Sequence, residues 1–412
     1  MKSASIALDV IGCKLNQAES ESLSRDLIKA GYRTVSPDKK ADVYILNTCT
    51  VTHVADRKAR HLLRMAHRRN PDALIIATGC YAVRAAGELE DIEGVGLVTI
   101  EKRNQRIIDM IANAGYIPDG TEEPGRRLRT RAMLKIQQGC SKRCSYCIVP
   151  HARGKEVSIP AAKVLDDVKA LIKDGYKEVV LTGTHIGSRD DIEDLVQRIL
   201  YETDIDRLRL SSLEPADITL SLIKLWRNKR LCRHIHLPLQ SGSDAVLKRM
   251  GREYSTSDYT KAVDLIRQSV PDCSVTTDMI VGFPQESDSE FEESYHFCKS
   301  MCFANLHVFT YSPRPGTPAA ALPDLSPQTK KARSTKMLQL AKELSNHFRG
   351  RYIGQTMLVL WEEKTGRYYE GFTDNYIRAF TESRCNLANT ILPVELTANY
   401  RNGLMGRLAG ID

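Results

Sequence analysis

The sequence predicts an α/β chain in three parts: an N-terminal parallel α/β sheet domain, a central incomplete (β/α)6 barrel and a small antiparallel β-barrel at the C-terminus. Three observations carry this reading. Short apolar runs rich in β-branched residues alternate with helix-period stretches over residues 1–120. The alternation restarts at Ala132 and continues through six further units. Past residue 348 the pattern changes to short alternating runs broken by turn-forming pairs.

In the first part, Ile6–Ile11, Val43–Asn47, Leu74–Thr78 and Leu97–Ile100 read as strands. Glu19–Ala30, Val54–Arg69 and Arg103–Ala114 read as the helices between them. Strands separated by helices pair in parallel and are covered on both faces. Cys13, Cys49 and Cys80 each come just after a strand. The carboxyl edge of such a sheet is where ligands bind, so three cysteines far apart in sequence are expected on one rim.

Residues 121–131 are polar, contain Pro124-Gly125 and end in arginines, which reads as a linker. The central part spans 132–348. Its candidate strands are Met133–Gln137, Glu178–Thr182, Arg207–Ser211, His234–Pro238, Ser274–Ile280 and Asn305–Thr310. Helical patterns fall at Ala161–Asp174, Ile192–Tyr201, Ala216–Asn228, Ser243–Met250, Thr256–Ser269 and Asp288–Met301, and a long one follows at Ser326–Phe348. Six β/α units with short links suggest an incomplete barrel with its active rim at the carboxyl ends of the strands. A compact run, Cys140-Ser-Lys-Arg-Cys144-Ser-Tyr-Cys147, directly follows the first of them.

The last part, 349–412, offers Thr356–Glu362, Arg367–Thr373, Tyr376–Phe380 and Thr390–Leu396 as antiparallel strands of a small barrel. Such barrels often grip nucleic acid through exposed aromatics, and Tyr368, Tyr369, Phe372, Tyr376 and Phe380 are candidates, though half or more read as core. Over residues 350–412, seven basic against seven acidic residues leave the charge balanced.

The 412 residues allow two to three domains, and the 42% apolar and 27% charged content is that of an ordinary globular protein. No signal-type leader and no long apolar run is present, so a cytoplasmic protein without a membrane span is expected. Eleven cysteines in a reducing compartment point to metal sites or buried thiols over disulfides. The net charge of +8 is unevenly spread. Arg57, Lys58, Arg60, Arg64, Arg68 and Arg69 crowd residues 53–70, and Arg126, Arg127, Arg129 and Arg131 follow Pro124-Gly125. Two runs of one sign suggest a nucleic-acid path; the plainer alternative is a solvated helix face and a charged linker.

Six cysteines thus fall into two sets of three. A 4Fe–4S cluster is normally held by four thiolates, so three leave one iron open to a substrate or second reagent. For the compact set, spacing alone also allows zinc on Cys140, Cys144, Cys147 and His151. Cys232, Cys273, Cys298, Cys302 and Cys385 read as plain thiols.

The CxxxCxxC loop after the first strand of a β/α series, with Tyr146 just before its last cysteine, resembles the radical S-adenosylmethionine enzymes. The resemblance narrows with Gly12-Cys13-Lys14-Leu15-Asn16-Gln17, Asn47-Thr48-Cys49-Thr50-Val51-Thr52 and Gly79-Cys80, which are similar to the N-terminal motifs of the methylthiotransferase family. Leu181-Thr-Gly-Thr-His-Ile-Gly187, Ser211-Ser-Leu-Glu-Pro215, His236-Leu-Pro-Leu-Gln-Ser-Gly242, Thr277-Asp-Met-Ile-Val-Gly-Phe-Pro284 and Tyr311-Ser-Pro-Arg-Pro-Gly-Thr317 extend it, and the tail resembles that family's TRAM barrel. The likeness covers nearly the whole chain.

What the resemblance implies is an enzyme with two 4Fe–4S clusters and S-adenosyl-L-methionine. The cluster on Cys140, Cys144 and Cys147 would split one S-adenosylmethionine into a deoxyadenosyl radical. The cluster on Cys13, Cys49 and Cys80 would supply sulfur, and a second S-adenosylmethionine the methyl group. Tyr146, Gly183 and Glu214 are expected at the S-adenosylmethionine site; Asp278, His236 and Gln240 reach the same rim without an assigned role. Three substrate branches are open: N6-threonylcarbamoyladenosine beside the tRNA anticodon, isopentenyladenosine at the same place, or an aspartate of a ribosomal protein. The words around Cys13 and Cys49 are most similar to the threonylcarbamoyl branch. The implied partners are a tRNA anticodon stem-loop and a reducing electron donor, and nothing in the sequence sets an oligomeric state. A zinc-bearing RNA-binding module without catalysis is the reading from another class.

Overall fold

The computed structural model describes residues 2–101, 103–118 and 130–408. The chain divides into two compact units. The first takes Met1–Leu128, Gln138–Lys142 and Cys147–Val157; the second takes Arg129–Gln137, Arg143–Tyr146 and Ser158–Asp412.

In the first unit, β1 (Ser5–Val10), β2 (Arg33–Val35), β3 (Val43–Thr48), β4 (Leu74–Gly79) and β5 (Val95–Val98) form one sheet in the order β2-β1-β3-β4-β5, every pair parallel. The connecting helices are α1 (Lys14–Lys29), α2 (His53–Arg69), α3 (Cys80–Arg84), α4 (Ala86–Glu90) and α5 (Asn104–Asn113). Alternate strand residues enter two separate cores. Ile6, Leu8, Ile45 and Ile76 pack with Leu23 and Leu27 of α1 and Ile107 and Ile111 of α5. Ala7, Leu46, Ile75 and Ala77 pack with Ala59, Leu63 and Ala66 of α2. Both faces are covered, which is why these strands read as unbroken apolar runs. The sequence pattern misses β2, whose three residues are too few to show a period, and sets β5 two residues late.

The second unit holds β6 (Arg131–Lys135), β7 (Glu178–Thr182), β8 (Arg207–Leu210), β9 (His234–His236), β10 (Ser274–Val281) and β11 (Asn305–Thr310). They form two parallel three-stranded sheets, β8-β7-β6 and β9-β10-β11. Parallel bridges at Leu208–Leu231 and Ser212–His236 join the two into an open half-barrel. Outside it lie α7 (Ala161–Lys173), α8 (Ile192–Glu202), α9 (Leu220–Lys224), α10 (Asp244–Met250), α11 (Thr256–Ser269), α12 (Asp288–Ser300) and α13 (Pro327–Gly350). The helix expected over 216–228 is broken. A 3-10 turn at Pro215–Asp217 ends before Thr219, whose hydroxyl caps α9 by accepting from Leu222 N at 3.0 Å.

The closed small barrel is β12 (Thr356–Thr365), β13 (Tyr368–Thr373), β14 (Arg378–Thr381), β15 (Ile391–Tyr400) and β16 (Gly403–Leu408), in the order β12-β13-β14-β16-β15. The fifth strand was not anticipated; Gly403 and Gly406 hide its pattern. Tyr369, Phe372 and Phe380 are buried, so these three are not an RNA surface. Tyr368 lies half-buried against Tyr400, their ring centroids 5.3 Å apart.

Residues 121–129, with Arg126, Arg127 and Arg129, lie outside the described residues. Arg131 corrects the expectation placed on it. It opens β6, is buried, pairs with Glu362 at 2.9 Å and lies over the Phe372 ring at 4.4 Å. Arg131 thus belongs to a charged layer between the half-barrel and the small barrel. Arg209 pairs with the fully buried Glu178 at 2.7 Å and donates to Asp374 O at 2.9 Å. Arg207 donates to Phe372 O and Leu358 O at 2.9 and 2.8 Å. Tyr376 stacks on His234 with centroids 4.5 Å apart. Burial pushes the Glu178 carboxyl up, but the Arg209, Arg131 and Arg207 guanidiniums outweigh it and hold it below its usual range. Removing one partner strands the other charge without solvent. Glu178→Ala should therefore destabilise the folded chain by about 3–5 kcal/mol, read as a lowered denaturant midpoint, whereas Lys163→Ala on the exposed side of α7 should change it by less than about 1 kcal/mol.

Candidate functional site

In the first unit, β1, β3 and β4 are neighbours, so the loops leaving their carboxyl ends are neighbours too. Cys13 follows β1 as the N-cap of α1, Cys49 follows β3, and Cys80 follows β4 as the first residue of α3. The expectation of a common rim is met: the three cysteines leave one edge of the sheet on neighbouring strands, and Cys49 lies near enough to Cys13 and Cys80 for both to bear on its thiol. Asn16 and Asn47 lock the rim. Asn16 Nδ2 donates to Asn47 Oδ1 at 3.1 Å and Thr48 O at 2.9 Å; Asn47 Nδ2 returns to Asn16 O at 3.1 Å. Cys13 Sγ donates to Asn16 Oδ1 at 3.3 Å. Gly79, at φ +95°, must be glycine, since a Cβ there would sit 2.4 Å from Asn47 Oδ1.

Arg153, six residues after Cys147, is a member of this rim that the sequence pattern does not reveal. It is buried, donates to Asn16 Oδ1 at 2.7 Å and pairs with Glu19 at 2.8 Å. Burial works against its charge, and Glu19, Cys80 and Cys13 outweigh that. Burial also pushes the Cys49 thiol up to about 12. A thiol so placed ionises only beside a strongly electron-withdrawing centre, and a guanidinium already faces the set. These residues fit a thiolate-bound iron–sulfur cluster.

The CxxxCxxC loop is held at several backbone points. Cys140 N donates to Gly154 O at 3.1 Å, Ser145 N to Met250 O at 2.9 Å, and Ala319 N to Ser145 O at 2.8 Å. Cys140, Cys144 and Cys147 are half-buried, while His151, the fourth ligand of the zinc alternative, is exposed on α6 (Val149–Arg153). In the second unit Arg252 links two expected site residues. Its Nη1 donates to Cys144 Sγ at 3.3 Å and its Nη2 to Glu214 Oε1 at 2.8 Å. Three cysteines on one short loop, with a buried guanidinium hydrogen-bonded to one sulfur, suit an iron–sulfur cluster too. Arg252 follows the Gly251 that ends α10 and carries no local sequence signal.

Glu214 caps the 3-10 turn after β8 with its backbone N donating to Asp217 Oδ2 at 2.6 Å, leaving its carboxylate on Arg252. Tyr146 packs edge-on against Phe283 at 6.5 Å. Gly183 has a structural reason of its own. A Cβ would come within 2.8 Å of Gln137 Oε1, which accepts from Thr184 N and His185 N at 2.9 and 3.1 Å. Cys232, Cys273 and Cys298 are buried thiols pushed up to about 12 by desolvation, as plain core cysteines are.

Among the described residues, no helix is long and apolar enough to cross a membrane. On α2, Asp56, Ala59, Leu63 and Ala66 face inward, while Arg57, Lys58, Arg64, Arg68 and Arg69 are exposed. Asp56, the acid of that stretch, is turned in to Thr50 at 2.7 Å and Arg84 at 3.4 Å. The outward face therefore keeps its single sign.

The profile of the radical SAM superfamily matches residues 134–298, and that of the uncharacterized protein family UPF0004 matches residues 5–99. The chain is 35% identical over 96% of its length to a threonylcarbamoyladenosine tRNA methylthiotransferase of Bacillus subtilis, of which the match covers 95%. It is 33% identical over 98% of its length to a tRNA-2-methylthio-N(6)-dimethylallyladenosine synthase of Syntrophotalea carbinolica, covering 99% of that protein. In fold it is similar to the radical S-adenosylmethionine methyltransferase TsrM of Kitasatospora setae, with a TM-score of 0.58 and 14% identity over 77% of each chain. The two sets of three cysteines, the α/β sheet, the half-barrel and the full-length relatives converge: the chain belongs to the radical S-adenosylmethionine methylthiotransferase family, whose enzymes use S-adenosylmethionine and two 4Fe–4S clusters.

Proposed function

We propose that this protein converts N6-threonylcarbamoyladenosine beside the tRNA anticodon into its 2-methylthio derivative. The observation that carries the reading is the rim of Cys13, Cys49 and Cys80, gathered by three neighbouring strands in a chain that also bears the CxxxCxxC loop. The similarity to a methylthiotransferase named for this nucleoside supports the choice of substrate.

In this reading Cys140, Cys144 and Cys147 hold one cluster, and Cys13, Cys49 and Cys80 the other. Bound there, the clusters supply the electron that cleaves S-adenosylmethionine and the sulfur that replaces hydrogen on the adenine ring. The chain's own residues set the stage. Arg252 fixes Cys144 against Glu214, which keeps a carboxylate within reach of the S-adenosylmethionine ribose or amino group. Tyr146 offers an aromatic edge for the adenine, and the turn at Gly183 brings backbone to the same rim. Arg153, bound to Asn16 and Glu19, keeps a buried positive charge at the rim of Cys13 and Cys80. The basic face of α2 meets the phosphates of the anticodon stem-loop. Electrons come from a reducing donor in the cytoplasm, where exposed thiolates persist.

Nucleoside mass analysis of tRNA tests the function. Cells lacking the gene should lose 2-methylthio-N6-threonylcarbamoyladenosine and accumulate its unthiolated parent, with plasmid-borne protein restoring it. Unchanged 2-methylthio adenosines would refute the tRNA reading. The ligand sets have their own check. Anaerobically reconstituted protein should hold about eight irons, four per set of three cysteines. Replacing Cys140, Cys144 and Cys147 by Ala should halve the iron and abolish deoxyadenosine formation; iron that stays near the full value would break the assignment.

A further inference from the structure

The half-barrel strands put apolar residues outward and polar ones inward. Ile235, Leu237, Val275, Met279 and Leu306 join the core beneath the helices. His236, Thr276, Asp278 and His307 stand at the alternate positions, on the opposite, lumenal face. Strand register sets their height. His236 pairs with Thr276 and Asp278 with His307, while Ser212 bridges to His236. The polar cluster therefore lies in the lumen, midway along β10 and β11.

Within it, His236 Nε2 lies 3.3 Å from Asp278 Oδ2 and His307 Nδ1 lies 3.1 Å from Asp278 Oδ1. His236 Nδ1 is fixed at 3.0 Å by the Thr276 hydroxyl. Burial pushes the Asp278 carboxyl up, but its hydrogen bonds to His236 and His307 prevail and hold it well below the usual carboxylate range. Both carboxylate oxygens are occupied and one imidazole is pinned. The other, His307, is different: its side chain is 48% exposed, and among the described residues its hydrogen bond is made through Nδ1. It lines a cavity of about 600 Å³ with Thr276, Asn305, Asn375, Tyr376 and Arg378.

We propose that His307, oriented by Asp278 and through it by His236, is a specificity-determining residue that binds the polar, carboxylate-bearing substituent on N6 of the substrate adenine. The inference rests on the functional reading above and sharpens it. A hydrocarbon substituent docked here would strip water from an ionised carboxylate and two imidazoles and return no hydrogen bond. With Nδ1–H given to the Asp278 carboxylate, the outward Nε2 of a neutral His307 accepts a hydrogen bond from the hydroxyl of such a substituent. A site built to hydrogen-bond its substrate discriminates against the analogue that lacks the group, because its own polar atoms are then left unpaired.

The test uses reconstituted holoenzyme and two anticodon stem-loops, one with N6-threonylcarbamoyladenosine and one with N6-isopentenyladenosine, in competition binding. Wild-type protein should prefer the first. His307→Phe should lower that preference about tenfold or more, by weakening the first and not the second, with iron content as in wild type. His307→Gln, which keeps a side-chain acceptor, should retain more of the preference than Phe. An unchanged ratio in His307→Phe, or an equal loss on both RNAs, overturns the inference while leaving the functional reading intact. A non-iron divalent metal bound one per chain in wild type and lost in His307→Phe also overturns it, because the two imidazoles and the carboxylate would then be a cation site. Failure of wild-type enzyme to thiomethylate the threonylcarbamoyl RNA overturns the functional reading and this inference with it.

Discussion

Parallel pairing of β1, β3 and β4 is the constraint on which the N-terminal site depends. Cys13, Cys49 and Cys80 have no local relationship in sequence. They become neighbours because adjacent parallel strands release their chains at one edge of the sheet, and each cysteine is among the first residues released. The backbone alone would leave such loops slack. The Asn16–Asn47 amide pair ties the first turn of α1 to the end of β3, and the glycine at 79 lets β4 turn under Asn47 without a clash. Arg153 then closes on Asn16 and Glu19. Register, amide pairing and one buried cation together give three thiols a fixed relation.

The second unit follows a different logic. Its half-barrel is apolar toward the helices and heavily charged within. At the amino ends of the strands, Arg131, Arg207 and Arg209 with Glu178 seat the small barrel through its backbone carbonyls and Tyr376. At the carboxyl side, Arg252 links Cys144 to Glu214, and midway along the strands His236, Asp278 and His307 form a second polar cluster. Buried charge is costly unless fully paired. Here its pairing serves placement: one network fixes a domain, one fixes a cysteine, and one presents an imidazole.

Much of this was legible in the sequence because strand–helix alternation is a strong signal. Glu178–Thr182, Thr256–Ser269 and Asn305–Thr310 fall where their patterns place them. The cysteine sets were readable because their flanking words are short and their positions after strands are unambiguous. What stayed hidden depends on distance in the fold. Arg153 and Arg252 look like ordinary surface arginines until the chain brings Glu19 and Glu214 to them. Arg131 looked like part of a basic run, yet Glu362, far along the chain, claims it. The strand Arg33–Val35 is too short for a period, and Gly403–Leu408 has glycines where a pattern would need side chains.

The claim that the adenine ring itself is the site of radical attack can be tested by following one atom. Holoenzyme is supplied with S-adenosylmethionine, a strong reductant and a tRNA whose N6-threonylcarbamoyladenosine carries deuterium at C2. Deoxyadenosine recovered from the reaction should contain that deuterium, in proportion to the 2-methylthio nucleoside formed. Deoxyadenosine that forms alongside the 2-methylthio product but carries no deuterium would contradict the account.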